Sequence, residues 1–379
     1  MNPPRIALVR QKYNAAGGAE RFVSRAIQAL ADDGVHLTLL TRQWEPLPGM
    51  QAIELNPFHI GNVWRDAGFA RAVCRAQQDQ HFDLVQSHER LACCDVFRAG
   101  DGVHREWLAQ RRRVLSPLGR LALLANPYHH YIQHAEARMF HSPRLRTVIC
   151  NSRMVKSEIQ RYFGLPDDKF VIIYNGIDSE TFHPRLREQH RQAMRTRLGL
   201  ADTQPVFLYV GSGFERKGVA QALQALARTP DAHLLIVGHD KKAKQYQRLS
   251  RSLGVGQRAH FVGAQTDVKP YYGLADALLL PTLYDPFPNV VVEAMACGLP
   301  VITSKKCGAA ELIDEGRQGF VRDALDTAGL AQAMQILSKP GRAREMGAQA
   351  RQLAEPMRLD SMARELNALY RRLLKLPPA

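Results

Sequence analysis

The feature that most constrains this chain is an alternation: a short run of Val, Ile and Leu, a turn, then a stretch with helical spacing. A strand over 5–9 is followed by a Gly-Gly turn and an amphipathic run from Glu20 to Asp33, stopped by Gly34. VHLTLLT (35–41) then reads as a buried strand, and AIEL, DLVQS and CDVFRAG repeat the theme. From Val148, VICNSRMVKSEIQRYFG reads as strand, Asn/Ser cap and helix, ending at Gly164. In the second half VFLYVG, HLLIVG, AHFVG, DALLLP and LPVITS are five more apolar runs, each leading into polar or helical sequence. Strands this apolar are buried on both faces, so the pattern predicts parallel sheets covered by helices, with right-handed crossovers. It occurs twice, with a break near YNGIDSETFHP (174–184). The expected fold is α/β: two doubly wound, Rossmann-like domains over 1–174 and 175–355, facing each other across a cleft. Ligands bind such sheets at the carboxyl ends of their strands. Residues 356–379 read as one more amphipathic helix, expected to pack back on the N-terminal domain.

Composition narrows the function. A length of 379 residues suits two cores. No apolar run reaches the length of a spanning helix. The start, MNPPRIALVRQKY, lacks the apolar stretch and cleavage site of a signal peptide, which predicts a cytoplasmic protein. Six cysteines (Cys74, Cys93, Cys94, Cys150, Cys297, Cys307) show neither metal-ligand spacing nor a disulfide framework, which fits a reducing compartment. The formal net charge of +15 favours an anionic partner. From Arg105 to Arg146 eight arginines accompany only two glutamates, interleaved with Trp107, Leu121, Leu123, Leu124, Tyr128 and Tyr131. No nucleic-acid-binding motif accompanies them, so a nucleic-acid partner is not expected. A basic and apolar stretch of this kind reads as an interfacial element at the inner face of a membrane, or as core residues with acceptor-binding arginines.

The chemistry concentrates in ALLLPTLYDPFPNVVVEAMACGLPVITS (277–304). A buried strand ends at Pro281, a Pro-rich loop holds Asp285, and a helix is expected to begin at Asn289 as its N-cap. The N–H groups of Val290 and Val291 would then offer a pyrophosphate the positive end of the helix dipole. Glu293, one turn in, suits acceptance of hydrogen bonds from sugar hydroxyls. In isolation Glu293 would read as a residue complementing a dipole and Asp285 as a loop residue; the spacing Asp-x7-Glu and the following Ala-x-Ala-x-Gly-Leu-Pro-Val carry the stronger reading.

These residues resemble the retaining family 4 glycosyltransferases of the GT-B fold, whose signature is Glu-x7-Glu followed by A-x-(A/S)-x-G-x-P-V. The resemblance covers nearly the whole chain, with Asp285 in place of the first Glu. It implies that Glu293 binds the donor ribose and that Asp285 contacts the donor hexose. VGSGFERKGVAQALQAL (210–226) resembles the family's strand–loop–helix, with Gly211 at the donor and the basic pair Arg216 and Lys217 neutralising the departing nucleoside diphosphate without a metal. NAAGGAERF (14–22) resembles the N-terminal Gly-rich loop, whose Gly17 and Gly18 permit close approach to a ligand, with Glu20 in the first turn of a helix. YNGID (174–178) resembles the interdomain loop and is also a turn signal. FRAGDGVHREW (97–107) lies where the family places an acceptor-side catalytic residue; Asp101 takes that place, with His104 three residues on as the alternative.

Asp101, the basic-aromatic stretch and GSGFERKG together resemble the lipopolysaccharide core glucosyltransferases of type I. The resemblance implies UDP-glucose as donor, no further cofactor, and a phosphorylated inner-core heptose of a glycolipid as acceptor. Other readings are another GT-B activity (GDP-mannose or a different donor, an exopolysaccharide acceptor, a phosphorylase, an epimerase) and a non-catalytic module on anionic lipid.

Overall fold

The computed structural model describes residues 4–13, 35–44 and 51–376. Gly17, Gly18, Glu20 and the amphipathic run to Asp33 lie outside the described residues. The chain forms two compact units, one containing the residues up to Gly176 together with those from Leu359 on, the other Ile177–Arg358.

The first unit is built on seven parallel strands in the spatial order Gln51–Glu54, His36–Thr41, Arg5–Val9, Leu84–Ser87, Val96–Arg98, Thr147–Cys150, Phe170–Ile172. Successive residues of a strand point to opposite faces, and both faces are covered. Ala7, Val9, Val85 and Val148 pack with Phe69 and Val73 of the helix Gly61–Gln80 and Val155 and Ile159 of the helix Arg153–Phe163. Ile6, Leu8, Leu39 and Leu84 pack instead with Met362, Leu366, Leu369 and Tyr370 of the helix Leu359–Leu374. That helix, from the far end of the chain, therefore covers one face of the sheet formed by residues 5–172.

The second unit has six parallel strands in the order Ala259–Gly263, His233–Val237, Val206–Val210, Ala277–Leu280, Val301–Ser304, Gly319–Arg322. In both sheets the first long strand lies inside, the next two extend to one side and the rest to the other. This is the doubly wound order, and the reversal beside the first strand is where such sheets bind ligands.

The segment after Val148 folds as its sequence predicts. Ser152 Oγ accepts a hydrogen bond from Val155 N (3.2 Å), capping the helix, and Gly164 ends it with φ of 67°. Four strands escaped the sequence reading: Phe170–Ile172 and Gly319–Arg322 at the edges of the two large sheets, and the two-residue pair Lys12–Tyr13 and Gln43–Trp44. The cysteines require a correction: Cys74 and Cys93 form a disulfide, Cα atoms 5.8 Å apart, while Cys94, Cys150, Cys297 and Cys307 are free and buried, so cysteine usage no longer argues for a reducing compartment. The helix Gly61–Gln80 and the loop after Leu84–Ser87 bring the pair together, a tertiary effect that spacing does not reveal. No described helix is long and apolar enough to cross a membrane.

Candidate active site

In the second unit the sheet reverses between Val206–Val210 and Ala277–Leu280, and the loops leaving these two strands meet. After Val210 the chain turns through Gly211, where a Cβ would lie 2.6 Å from Cδ of Lys217. Gly211 thus leaves the space the Lys217 stem occupies. A four-residue helix, Phe214–Lys217, follows, pinned by Phe214 N donating to Asp240 Oδ2 (2.8 Å). Gly218 then adopts φ of 80°, and a Cβ there would collide with the Pro281 carbonyl oxygen. The loop after Ala277–Leu280 grips the same turn, because Leu283 N and Thr282 Oγ1 both donate to Arg216 O (2.8 and 3.0 Å).

This crossing of loops brings the three charged residues of the sequence reading together. Lys217 Nζ lies 3.2 Å and Arg216 Nη2 3.6 Å from Oδ2 of Asp285. Asp285 is buried, and its backbone is held on both sides: its N–H donates to Lys306 O (2.9 Å) and its carbonyl accepts from Gly308 N (2.8 Å). A buried carboxylate requires paired charge, and here it fixes two cations at one place, with Arg216 the more exposed. A cationic pair set beforehand suits a leaving group whose negative charge grows.

The helix after Asp285 spans Asn289–Ala296 and corrects two expectations. Pro288, not Asn289, is the N-cap residue, and no side chain caps the helix. Pro288 is held at φ −71° with extended ψ, so helical geometry starts one residue later and Asn289 becomes the first helical residue. The Val291 N–H, expected to face an anion, donates to Pro288 O (3.1 Å). Glu293 is buried and accepts a hydrogen bond from the Tyr272 hydroxyl at its Oε2 (2.8 Å). Tyr272, on the helix Lys269–Leu274, was missed by the sequence reading; its own segment carries no motif.

In the first unit the reversal lies between Arg5–Val9 and Leu84–Ser87, and a cavity of about 350 Å³ opens there. Arg10, Gln11 and Lys12 leave one strand, Glu89 and Arg90 follow the other, and all five line the cavity. Gln11 joins the walls, its N–H donating to Glu89 Oε1 (3.0 Å) and its side chain to Asp66 Oδ1 (3.1 Å). Arg90 bonds Glu136 (3.1 Å) and lies 3.7 Å from Asp101. Burial opposes its charge, but Glu136, Asp101 and Glu89 outweigh that and hold the guanidinium above its ordinary pKa. The sequence reading missed Arg90, as it did Arg42 and Arg65 on the same walls.

Asp101 and His104 face different partners. Asp101 is exposed at the cavity, on the turn after Val96–Arg98. His104 opens the helix His104–Arg112; its N–H donates to Glu136 Oε1 (3.0 Å), and its Nε2 lies 3.0 Å from Nδ1 of His129. Burial, then Arg90 and His129, push the imidazole down to about 3, so it is neutral near pH 7. Asn175, in the YNGID segment, accepts from the buried Arg98 (2.7 Å).

The stretch from Arg105 to Arg146 also divides. Leu118, Leu121 and Leu124 are exposed on the helix Pro117–Ala125, whereas Leu123 is buried and Tyr128 and Tyr131 line the cavity. Tyr128 donates to Asp66 Oδ2 (2.9 Å). Leu123, Tyr128 and Tyr131 therefore belong to the body of the unit, as the second of the two readings of this stretch has it, while Leu121 and Leu124 stay at the surface.

Residues 16–181 match the model described as Glycosyltransferase Family 4, and residues 190–353 the one described as Glycosyl transferases group 1. The lipopolysaccharide core biosynthesis glycosyltransferase LpsE of Rhizobium meliloti (strain 1021) is 30% identical over 331 residues, covering 85% of this chain and 86% of LpsE. The chain belongs to the family 4 glycosyltransferases of the GT-B fold. The lipopolysaccharide glucosyltransferase WaaG of Escherichia coli (strain K12) is 28% identical to this glycosyltransferase over 323 residues, 83% of this chain and 84% of WaaG. A crystal structure of WaaG superposes with a TM-score of 0.81 at 25% identity, covering 96% of this chain and 99% of that one. HepE of Anabaena, solved in complex with UDP-glucose, shares the fold with a TM-score of 0.73 at 18% identity, covering 97% and 99%.

Proposed function

We propose that this glycosyltransferase is a retaining, metal-independent hexosyltransferase that moves glucose from UDP-glucose onto an inner-core heptose of lipopolysaccharide or a similar phosphorylated glycolipid. The observation that carries the reading is the convergence of Arg216 and Lys217 on the buried Asp285 at a sheet reversal. In this reading the two cations stabilise the diphosphate as the glycosidic bond breaks, an interaction strongest in the transition state. Glu293, oriented by Tyr272, holds the ribose, and Asp285 orients the hexose. Asn289, Val290 and Val291 border the pyrophosphate at the helix start. Gly211 contributes by making room for Lys217. Asp101 is the acceptor-side residue, since it lines the basic cavity while His104 is engaged with His129.

The choice of donor and acceptor rests on the relatives: WaaG is by name a lipopolysaccharide glucosyltransferase, LpsE acts in lipopolysaccharide core biosynthesis, and HepE binds UDP-glucose. The basic cavity of the first unit suits a phosphorylated acceptor. The exposed Leu118, Leu121 and Leu124, with Arg111, Arg112 and Arg113 before them, suit the inner face of an anionic membrane in the cytoplasm.

The deciding experiment measures thermal protection by UDP-glucose, UDP-galactose and GDP-mannose, with and without EDTA, then determines the anomeric configuration of the product. UDP-glucose should protect, transfer should survive EDTA, and the product should be an α-glucoside. Protection by GDP-mannose alone, a β-linked product, or loss of activity with EDTA would each overturn the corresponding part of the reading.

A further inference from the structure

Three large apolar side chains stand in solvent on the first unit, away from the stretch 105–146: Phe58 at 76%, Ile60 at 71% and Trp64 at 46% of full exposure. Single exposed apolar residues are ordinary, but a cluster of three marks a binding surface. The cluster is built, not loose. The rings of Phe58 and Trp64 meet edge to face at 5.6 Å. Pro57 O lies 3.1 Å from His59 Nδ1, and Arg42 holds the segment to the sheet, donating to Asn56 Oδ1 through Nε (3.2 Å) and Nη2 (3.1 Å). Trp64 lies in the first turn of the helix Gly61–Gln80, immediately before Arg65 and Asp66.

Both anchors of this cluster, Arg42 and the pair Arg65–Asp66, are walls of the basic cavity. The lining also holds Tyr128, three residues beyond the end of the helix bearing Leu118, Leu121 and Leu124, and its hydroxyl bonds Asp66 (2.9 Å). Two exposed apolar groups are thus joined in sequence to the lining of one cavity, which among the described residues carries five cations (Arg10, Lys12, Arg42, Arg65, Arg90) against three carboxylates. Aromatic and aliphatic side chains beside a cationic opening are complementary to an anionic bilayer, with rings at the headgroup level and cations toward phosphates.

We propose that Phe58, Ile60 and Trp64 form a second membrane contact, which with the helix Pro117–Ala125 seats the cavity mouth against an anionic bilayer. The inference rests on the membrane reading above and adds a site to it. One contact tethers a protein but leaves it free to rotate about the point of attachment; two, each joined to the cavity lining through a different segment, set the mouth toward the headgroups where a glycolipid acceptor is presented.

Trp64 is its own reporter. In a Trp44→Phe/Trp107→Phe background it is the sole tryptophan, and its emission is followed with vesicles of phosphatidylglycerol and phosphatidylcholine, with and without brominated acyl chains. A blue shift on anionic vesicles and quenching by brominated lipid are expected, neither with phosphatidylcholine alone. In the otherwise wild-type chain, Phe58→Ser/Ile60→Ser/Trp64→Ser should lower co-sedimentation roughly tenfold or more without changing the melting temperature, since these side chains are exposed. Leu118→Ser/Leu121→Ser/Leu124→Ser, as the parallel variant, should leave residual Trp64 quenching. If the wild type sediments with anionic vesicles while Trp64 is neither shifted nor quenched, the second contact is wrong and the first stands. A wild type that does not sediment overturns both.

Discussion

The two sheets share a strand order but build their reversals differently. In the second unit the reversal is compact: two loops cross, a glycine makes room for Lys217, and one buried carboxylate holds both cations. In the first it is an open cavity whose walls come from six separate segments, its Arg90 balanced by Glu136 and Asp101. A compact site concentrates its function in few side chains, so single substitutions should be severe. A distributed one should lose function in steps.

The largest expected effect tests the compact side. Lys217→Ala should lower kcat roughly a hundredfold to a thousandfold, the range for removing one preorganised charge-stabilising donor. The donor KM should move much less, because the charge it meets grows only as the bond breaks. Arg216→Ala, at a more exposed and more screened cation, should cost less. A raised donor KM with kcat unchanged in Lys217→Ala would show that the cation binds the diphosphate equally in the ground and transition states.

Next comes a difference in stability. The disulfide Cys74–Cys93 closes a loop of 19 residues in the first unit alone. Reducing it should destabilise that unit by about 3 kcal/mol, by returning entropy to the unfolded chain. Hydrogen exchange should quicken in the helix Gly61–Gln80 and the segment after Ser87, and not in Ile177–Arg358. Thiol titration in denaturant should find four free cysteines before reduction and six after. Six before reduction would remove the premise.

Glu293→Ala should weaken donor binding by about 1.5–3 kcal/mol, the value of a hydrogen bond to a charged group. Tyr272→Phe should cost about 1 kcal/mol and spare kcat, because it removes one bond that orients the carboxylate. Glu293 was legible in the sequence and Tyr272 was not, for a physical reason. The strand, the loop with Asp285 and the turn into Glu293 are contiguous, so spacing alone sets their geometry. Tyr272 reaches Glu293 from a different helix, 21 residues earlier, and only packing reveals it. The same holds for Arg90, Arg42 and Arg65. Alternation of strand and helix made both sheets legible. Caps were less so: the helix begins at Asn289 as expected, but Pro288 takes the N-cap place expected of Asn289.

The smallest expected effect compares a feature both units contain. His104 and His129 lie 3.0 Å apart in the first unit, His233 and His260 3.1 Å apart in the second. Burial is the main cause that lowers all four, and it takes His104 to about 3 and His233 to about 4. The folded protein therefore holds these imidazoles neutral at pH values where the unfolded chain protonates them. Protons bound preferentially by the unfolded chain make stability fall as pH drops. The loss begins near pH 6.5, the ordinary histidine value. It continues to about pH 4 for His233 and about pH 3 for His104. His260→Gln and His129→Gln each remove one titrating ring and relieve its partner, so each should flatten melting temperature against pH below 6.5. The first-unit variant should act over the wider interval, because His104 is displaced further. If His129→Gln left the acid limb unchanged while His260→Gln flattened it, the first-unit pair would not be held neutral in the folded state, and His104 would return as the alternative to Asp101.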